Sequence, residues 1–305
     1  MVAMHPLAQQ IEQYKLYLKV EKNASLNTVT SYVADLESFV EFAKLQGFGE
    51  AIFANIPSIH IRSYLYDLKT KGYARRTIAR RISSLRSFFQ FLYRKEVIAE
   101  NPLDTVHTPR IEKNTPVALE IMEIERMLEL PSSDLLGQRD SALLELLYAS
   151  GVRVSELTSL TVKDVDFNCR CILVCGKGSK HRIVPIGQRA FSAIESYLKN
   201  ARNQLYMKHL GFKHDALFVN KSGGPLTDRS VRRVVEKYVS MLALSKNISP
   251  TSIRYSSADY LLSNGADWCS IKDILGNIDL SKLQICMHSP KERLKTIYQH
   301  SHPRA

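Results

Sequence analysis

Arginine is the side chain this sequence places where chemistry is possible. Arg153 stands in YASGVRVSELTSL, from Tyr148 to Leu160. The run before it, from Asp140, has apolar residues at helical spacing (Leu143, Leu144, Leu147, Tyr148), and Gly151 falls where a left-handed residue closes such a helix. Ser155, Glu156, Leu157 and Leu160 then start a second helix, so Arg153 occupies the turn between the two and can aim out of the packed layer. The plainer use of that guanidinium is an ion pair with Glu156 or a hydrogen bond to a carbonyl. The chemical use is a planar fork of donors for a phosphate or carboxylate. Lys177 is a second cation of interest, held at the tip of Gly176-Lys177-Gly178 between two strand-like runs, although a turn lysine is ordinarily only a solvated charge.

Two helices carry further arrays. Arg75, Arg76, Arg80, Arg81 and Arg86 load one element, and Arg229, Arg232, Arg233 and Lys237 load another that opens after Thr227. Such a face is often merely solvated, but the acidic residues that would balance the first array are missing, so DNA phosphates are the expected partner of both. Cys169, Cys171 and Cys175 invite a metal reading. Their shared parity in a strand predicts instead that they line one buried face, and no metal or cofactor is expected.

The elements that position these residues follow from periodicity. Helices are predicted from Pro6 to about Glu21, from a cap at Ser25 or Asn27 to near Gly47, from Pro57 to about Thr70, and after Gly72 with Ile78, Ile82, Leu85, Phe89 and Leu92 inward. The stretch His107 to Pro116 combines prolines and basic residues without periodicity, as an extended linker does. Beyond it come a helix from Leu119 to Leu130, the Asp140 helix, short strands from Val162 and from Arg170, a helix from Gln188 to Asn203, a strand at Leu217–Asn220 and the Thr227 helix. The predicted class is mainly α with a small antiparallel β-sheet: a helical domain over 1–106, a linker over 107–117, and a mixed α/β domain over 118–305.

Composition narrows the partner. The 305 residues hold 42 Lys and Arg against 30 Asp and Glu, a net charge of +12 that calls for a polyanion, nucleic acid ahead of a membrane surface. No apolar run approaches the roughly 18 residues that span a bilayer, and the opening MVAMHPLAQQIEQY lacks the apolar core of a secretory signal, so a cytoplasmic, nucleoid-associated protein is expected.

A helix ending in a small residue and Gly, then Arg, then Ser-Glu-Leu resembles the first arginine motif of the tyrosine recombinase (phage integrase) family. The Gly-Lys-Gly turn is similar to that family's β-hairpin, which presents a catalytic lysine. The final third, from ISPTSIRYSS onward, follows the family's C-terminal frame, and the tail KERLKTIYQHSHPRA resembles the XerC and XerD branch, which resolves chromosome dimers. The resemblance extends over most of the chain. It implies a SAM-like helical core-binding domain followed by a catalytic domain, together encircling DNA. It also implies metal-free transesterification, in which a tyrosine oxygen attacks phosphorus, two guanidiniums stabilise the nonbridging oxygens, and a lysine protonates the leaving 5′ oxygen.

Matched residue by residue, the resemblance assigns catalytic roles to Arg153, Lys177, Arg254 and His288. It also exposes three departures. Thr251 stands where the H-x-L-R motif has histidine, Asn277 stands where L-G-H has histidine, and Cys286 occupies the tyrosine nucleophile position. A thiolate is a good nucleophile, but tyrosine oxygen reaches about 6.5 Å from its Cα and cysteine sulfur only about 2.8 Å, while attack needs reacting atoms within roughly 3–3.5 Å. Tyr255, Tyr260 and Tyr298 are the nearest substitutes, with core packing or tail docking the plainer use of each. The expectation is a Xer-type recombinase for dimer resolution or integration, impaired in cleavage, acting on double-stranded DNA in a homo- or hetero-tetramer with a related recombinase and docking on a neighbour through its tail. The alternatives are a non-catalytic DNA-binding regulator or architectural subunit, and an active enzyme with a displaced nucleophile.

Overall fold

The computed structural model describes residues 6–47, 56–109, 117–176, 180–244 and 248–276. The chain divides into two compact units, Met1–Lys113 and Asn114–Ala305.

The first unit is built from α1 (Pro6–Val20), α2 (Leu26–Leu45), α3 (Ser58–Thr70) and α4 (Arg75–Arg94). Ser25 caps α2 by accepting from the Thr28 amide at 3.2 Å, satisfying one of the donors that a helix start leaves open. Aromatic rings at helical spacing then fill the space between helices. Tyr14, Phe39, Tyr64, Phe88 and Phe89 are all 2% exposed or less, and Tyr14 meets Phe88 edge-on at 5.2 Å as Phe39 meets Tyr64 at 5.1 Å.

The expectation that the α4 array lacks a balancing acid is corrected by the packing, because α2 supplies one. Asp35 is only 3% exposed, accepts from Arg80 Nη1 at 2.5 Å and from Ser84 Oγ at 2.9 Å, and lies 3.7 Å from Arg81 Nε. Arg81 also donates to Ser38 Oγ and Tyr64 Oη, both at 2.8 Å, and covers the Tyr73 ring. Arg86 is tied to the Val106 carbonyl at 2.7 Å. A buried carboxylate must be paired, and the partners of Asp35 come from another helix, 45 positions on in the case of Arg80.

The second unit contains α5 (Ile121–Glu129), α6 (Leu135–Ser150), α7 (Val154–Ser159), β1 (Val165–Asp166), β2 (Cys171–Cys175), β3 (His181–Pro185), α8 (Gln188–Ser196), α9 (Asn203–Tyr206), α10 (Asp228–Met241), α11 (Pro250–Ser263) and α12 (Trp268–Leu275). A π-helical turn, Tyr197–Arg202, joins α8 to α9. Helix α6 runs through the middle: Leu143, Leu144, Leu146 and Leu147 are at most 1% exposed, as befits a helix covered on several sides. Its polar start is satisfied internally, with Arg139 bonded to Asp140 at 2.6 Å and Asp140 accepting from Tyr238 Oη at 2.9 Å.

The three strands form an antiparallel sheet in the order β1-β2-β3, with Ile172 opposite Val184 and Leu173 opposite Ile183. The buried parity belongs to Ile172, Val174 and Val184, each 0% exposed. Cys171 and Cys175 therefore lie on the other face and Cys169 is exposed, which corrects the expected buried cysteine face. Strand alternation fixes only which residues share a face, and the bulkier branched pair takes the inside. Val162–Asp164 is a 3-10 turn ahead of β1, and Leu217–Asn220 is no strand but is held by isolated bridges, Thr161 to Ala216 and Val219 to Pro225. No described helix is long and apolar enough to cross a membrane.

Candidate active site

Helix α6 ends at Gly151, whose φ of 55° and ψ of 25° are left-handed and whose amide returns to the Leu147 carbonyl at 3.0 Å. The glycine is needed twice, because a Cβ there would collide with the Leu275 side chain at the end of α12. The reversal delivers Arg153 to the N-terminal edge of α7. Glu156, three residues on, accepts the Arg153 amide at 2.8 Å through Oε2 and Arg153 Nη1 at 2.8 Å through Oε1. The ion pair anticipated as the plainer reading is thus present, yet the Arg153 side chain stays 39% exposed and lines an open cleft.

The opposite side of this cleft is α11. Ser249 caps it, accepting from the Ser252 amide at 3.3 Å, and Thr251 is exposed in the first turn. One turn on, Arg254 is 6% exposed and donates to the Gly151 carbonyl and, at 2.6 Å, to the Leu275 carbonyl. It therefore joins the α6 terminus to the α12 terminus. The cleft holds about 460 Å³, and Arg153, Arg254, Thr251, Tyr255 and Arg232 are among its lining residues.

Glu156 and Arg182 stand behind Arg153 and are not among the residues that line the cleft; Glu156 is the partner anticipated for Arg153, whereas sequence reasoning assigned Arg182 no place here. Arg182, on β3, donates Nη1 to Glu156 Oε1 at 2.9 Å, Nη2 to Oε2 at 2.8 Å and Nε to the Ile274 carbonyl at 2.8 Å. The signal was available in the strand: Arg182 shares parity with the buried Val184, and an arginine on the inward face of a strand needs a buried acceptor.

Arg153, Arg182, Arg254 and Arg232 stand here against Glu156, Asp228 and Glu236, a small excess of positive charge, and the titration behaviour of the buried groups follows from their nearest neighbours. Burial, then Arg153, pulls the Arg254 pKa down to about 10, with Arg182 adding to the fall and Glu156 opposing it. Burial alone would raise Glu156, but the Arg182 hydrogen bonds, the Arg153 amide and the two positive charges outweigh it and hold the carboxyl below its ordinary 4.5. A buried cation crowded by like charge is a group that an anion would relieve, and forked donors fit the nonbridging oxygens of a phosphodiester.

The remaining expected residues fall into groups. Arg75, Arg76 and Arg80 are exposed on α4, Arg80 while paired with Asp35, whereas Arg81 and Arg86 are partly buried in the contacts above. On α10, Arg229, Arg232 and Arg233 are all exposed; Arg232 faces the cleft, and Arg233 lines a separate depression beside Arg139. Tyr255 is 6% exposed and packed with Ala258, Leu262, Ile271 and Leu275, and Tyr260 is 41% exposed beside Tyr148. Lys177, Asn277, Cys286, His288 and Tyr298 lie outside the described residues. Among the described residues no group of three or more His, Cys, Asp or Glu is placed to hold a metal ion.

Comparison with known proteins agrees with this architecture. The model of the phage integrase family matches residues 118–293, and that of the phage integrase N-terminal SAM-like domain matches residues 11–96. The chain is 42% identical over 299 residues to tyrosine recombinase XerC of Halalkalibacterium halodurans, covering 97% of this chain and 98% of that protein. It is 43% identical over 293 residues to tyrosine recombinase XerC of Bacillus subtilis, covering 95% and 94%. Among solved structures, XerH site-specific recombinase bound to a palindromic difH substrate superposes with a TM-score of 0.70 at 23% identity, covering 95% of this chain and 84% of that one, a likeness of fold. From its helical SAM-like domain to its small antiparallel sheet, the chain belongs to the phage integrase family, as a Xer-type tyrosine recombinase.

Proposed function

We propose that this chain grips duplex DNA as a Xer-type recombinase subunit but is impaired in cutting it. The observation that carries this is the convergence of Arg153 and Arg254 on one cleft, in a chain whose sequence-matched nucleophile and two histidine positions are replaced while Lys177 is kept. The positions kept, Arg153, Lys177, Arg254 and His288, include those that hold a phosphate. The positions changed, Thr251, Asn277 and Cys286, are those that accept protons or attack phosphorus. Thr251 and Asn277 still offer hydrogen bonds, but neither takes up a proton at neutral pH. A cysteine sulfur reaches several ångströms less far from its Cα than a tyrosine oxygen does, which makes Cys286 a poor stand-in for the phenol.

Arg75 and Arg76 of the first domain, and Arg229, Arg232 and Arg233 of the second, supply the phosphate contacts outside the cleft. The two domains, 1–106 and 118–305 joined by the 107–117 linker, act together on a duplex in the cytoplasm. A related recombinase with an intact tyrosine cleaves beside this subunit in a tetramer. Support for cleavage on this fold comes from XerH, which has been captured with its difH substrate as a post-cleavage complex. A purely architectural role uses the same cleft without a cleaving partner.

The test is a nicked suicide duplex carrying a Xer-type site. No covalent protein–DNA adduct should survive a denaturing gel, while binding of the intact duplex should weaken steeply as salt rises. An adduct would place the chain among active enzymes, and its loss in Cys286→Ser or Tyr298→Phe would locate the nucleophile. A flat salt response would argue against DNA as the partner.

A further inference from the structure

We infer that Arg182 is a positioning residue: by occupying one side of the Glu156 carboxylate, it keeps Arg153 presented to the DNA phosphate. The inference rests on the phosphate-binding reading of the cleft and adds a residue that the family frame did not bring into it. A carboxylate has about four acceptor positions. Those of Glu156 receive Arg153 Nη1 and Arg182 Nη1 on Oε1, and the Arg153 amide and Arg182 Nη2 on Oε2. The division is uneven. Arg182 makes the fork-to-fork contact and its side chain is 14% exposed, whereas Arg153 gives Glu156 one guanidinium nitrogen and stays 39% exposed on the cleft.

The Glu156 side chain is 5% exposed, so its charge cannot turn to water for compensation. If Arg182 loses its fork, the nearest guanidinium able to replace it is Arg153, which must then rotate inward and surrender its place at the cleft. Arg182 also fixes the strand that carries it. Its Nε bond to the Ile274 carbonyl ties β3 to the end of α12, and both Arg182 and Arg153 come within 3.5–3.7 Å of where a Cβ on Gly276 would lie. One side chain thus links the hairpin strand, the first arginine and the Leu275-Gly276 terminus that precedes Asn277. Arg182 itself faces the protein, so it acts through Arg153 and not by touching the nucleic acid.

The experiment uses the full-length chain and a random-sequence duplex, with affinity measured by fluorescence anisotropy across a series of KCl concentrations. Each phosphate contact contributes about 0.9 to the slope of log K against log salt. Arg153→Gln should lower the slope by about 0.9, Arg182→Gln should lower it equally, and the double variant should lose no more than either alone. Arg182→Lys keeps the charge without the fork and should recover thermal stability but not the slope, which separates positioning from folding even where Arg182→Gln folds poorly. A wild-type slope in Arg182→Lys would overturn the inference by making Arg182 structural only. A loss near about 1.8 in the double variant, two contacts' worth, would overturn it by making Arg182 a phosphate ligand in its own right. If Arg153→Gln leaves the slope unchanged, the phosphate reading of the cleft fails, and that failure is visible before Arg182 is touched.

Discussion

The two arginine-rich places in this protein spend the same side chain in opposite ways. In the first unit, Arg80 and Arg81 converge on Asp35, and Arg81 and Arg86 finish on neutral oxygens within the bundle. In the second, Arg153 and Arg182 share the Glu156 carboxylate and Arg254 donates to the Gly151 and Leu275 carbonyls, beside an open cleft that Asp228 and Glu236 also line. The first arrangement sets three guanidiniums against one carboxylate, but Arg81 and Arg86 are tied to oxygens inside the unit. The second carries surplus charge toward solvent, and burial plus like charge lowers the Arg254 pKa to about 10 there. Density of arginine therefore says little about binding; what differs is whether the guanidiniums are tied to oxygens inside the unit or left on an open cleft.

That contrast can be broken most forcefully from the first unit. Asp35→Ala strands Arg81, whose side chain is 12% exposed, and should cost about 3–5 kcal/mol in denaturant unfolding of the first unit, the range for removing one partner of a buried pair. It should leave the cleft's contribution to DNA binding in place. Gly151→Ala comes next: a left-handed φ of 55° and overlap with Leu275 predict a loss of about 2–4 kcal/mol together with reduced DNA affinity, since the same carbonyl holds Arg254.

A smaller effect is set by pH. Glu156 titrates below its ordinary 4.5 in the folded chain, so its stabilising contribution is complete above that value and is lost as pH falls through the lowered pKa. Glu156→Gln should therefore flatten the acid limb of a thermal-stability profile between neutral pH and the acid range. A profile unchanged by the substitution would mean the carboxylate is not what holds the cluster. The smallest stability effect belongs to Arg153→Gln. With Glu156 still forked to Arg182, the melting free energy should move by no more than about 0.5 kcal/mol, even as affinity for duplex DNA falls.

Much of this was legible from residue order because it is local. The cap at Ser25, the left-handed Gly151, the Thr227 cap and the β2–β3 hairpin depend on neighbours within a few positions, and periodicity marks the buried side of most helices. Asp35 was not legible as the partner of Arg80, because the pair spans 45 positions and nothing local to either residue announces the other. Nor was the Glu156–Arg182 fork, across 26 positions and two element types. The cysteine face failed for a different reason. Alternation in β2 sorts residues into two sets, but both sets held apolar candidates, and only packing decided for Ile172 and Val174. At the site itself, the motif around Arg153 was readable in one stretch, whereas its meeting with Arg254 depends on how α6, α11 and α12 converge.

The most direct measurement is repair. Thr251→His, Asn277→His and Cys286→Tyr introduced together give the chain the histidines and the phenol of the family frame, beside guanidiniums that already converge on the cleft. On a nicked suicide duplex with a Xer-type site, the native chain should give no covalent adduct and the repaired chain should give one that boiling in detergent does not remove. A repaired chain that folds and binds the duplex yet forms no adduct, or a native chain that forms one unaided, would contradict the view that grip was kept while cutting was lost.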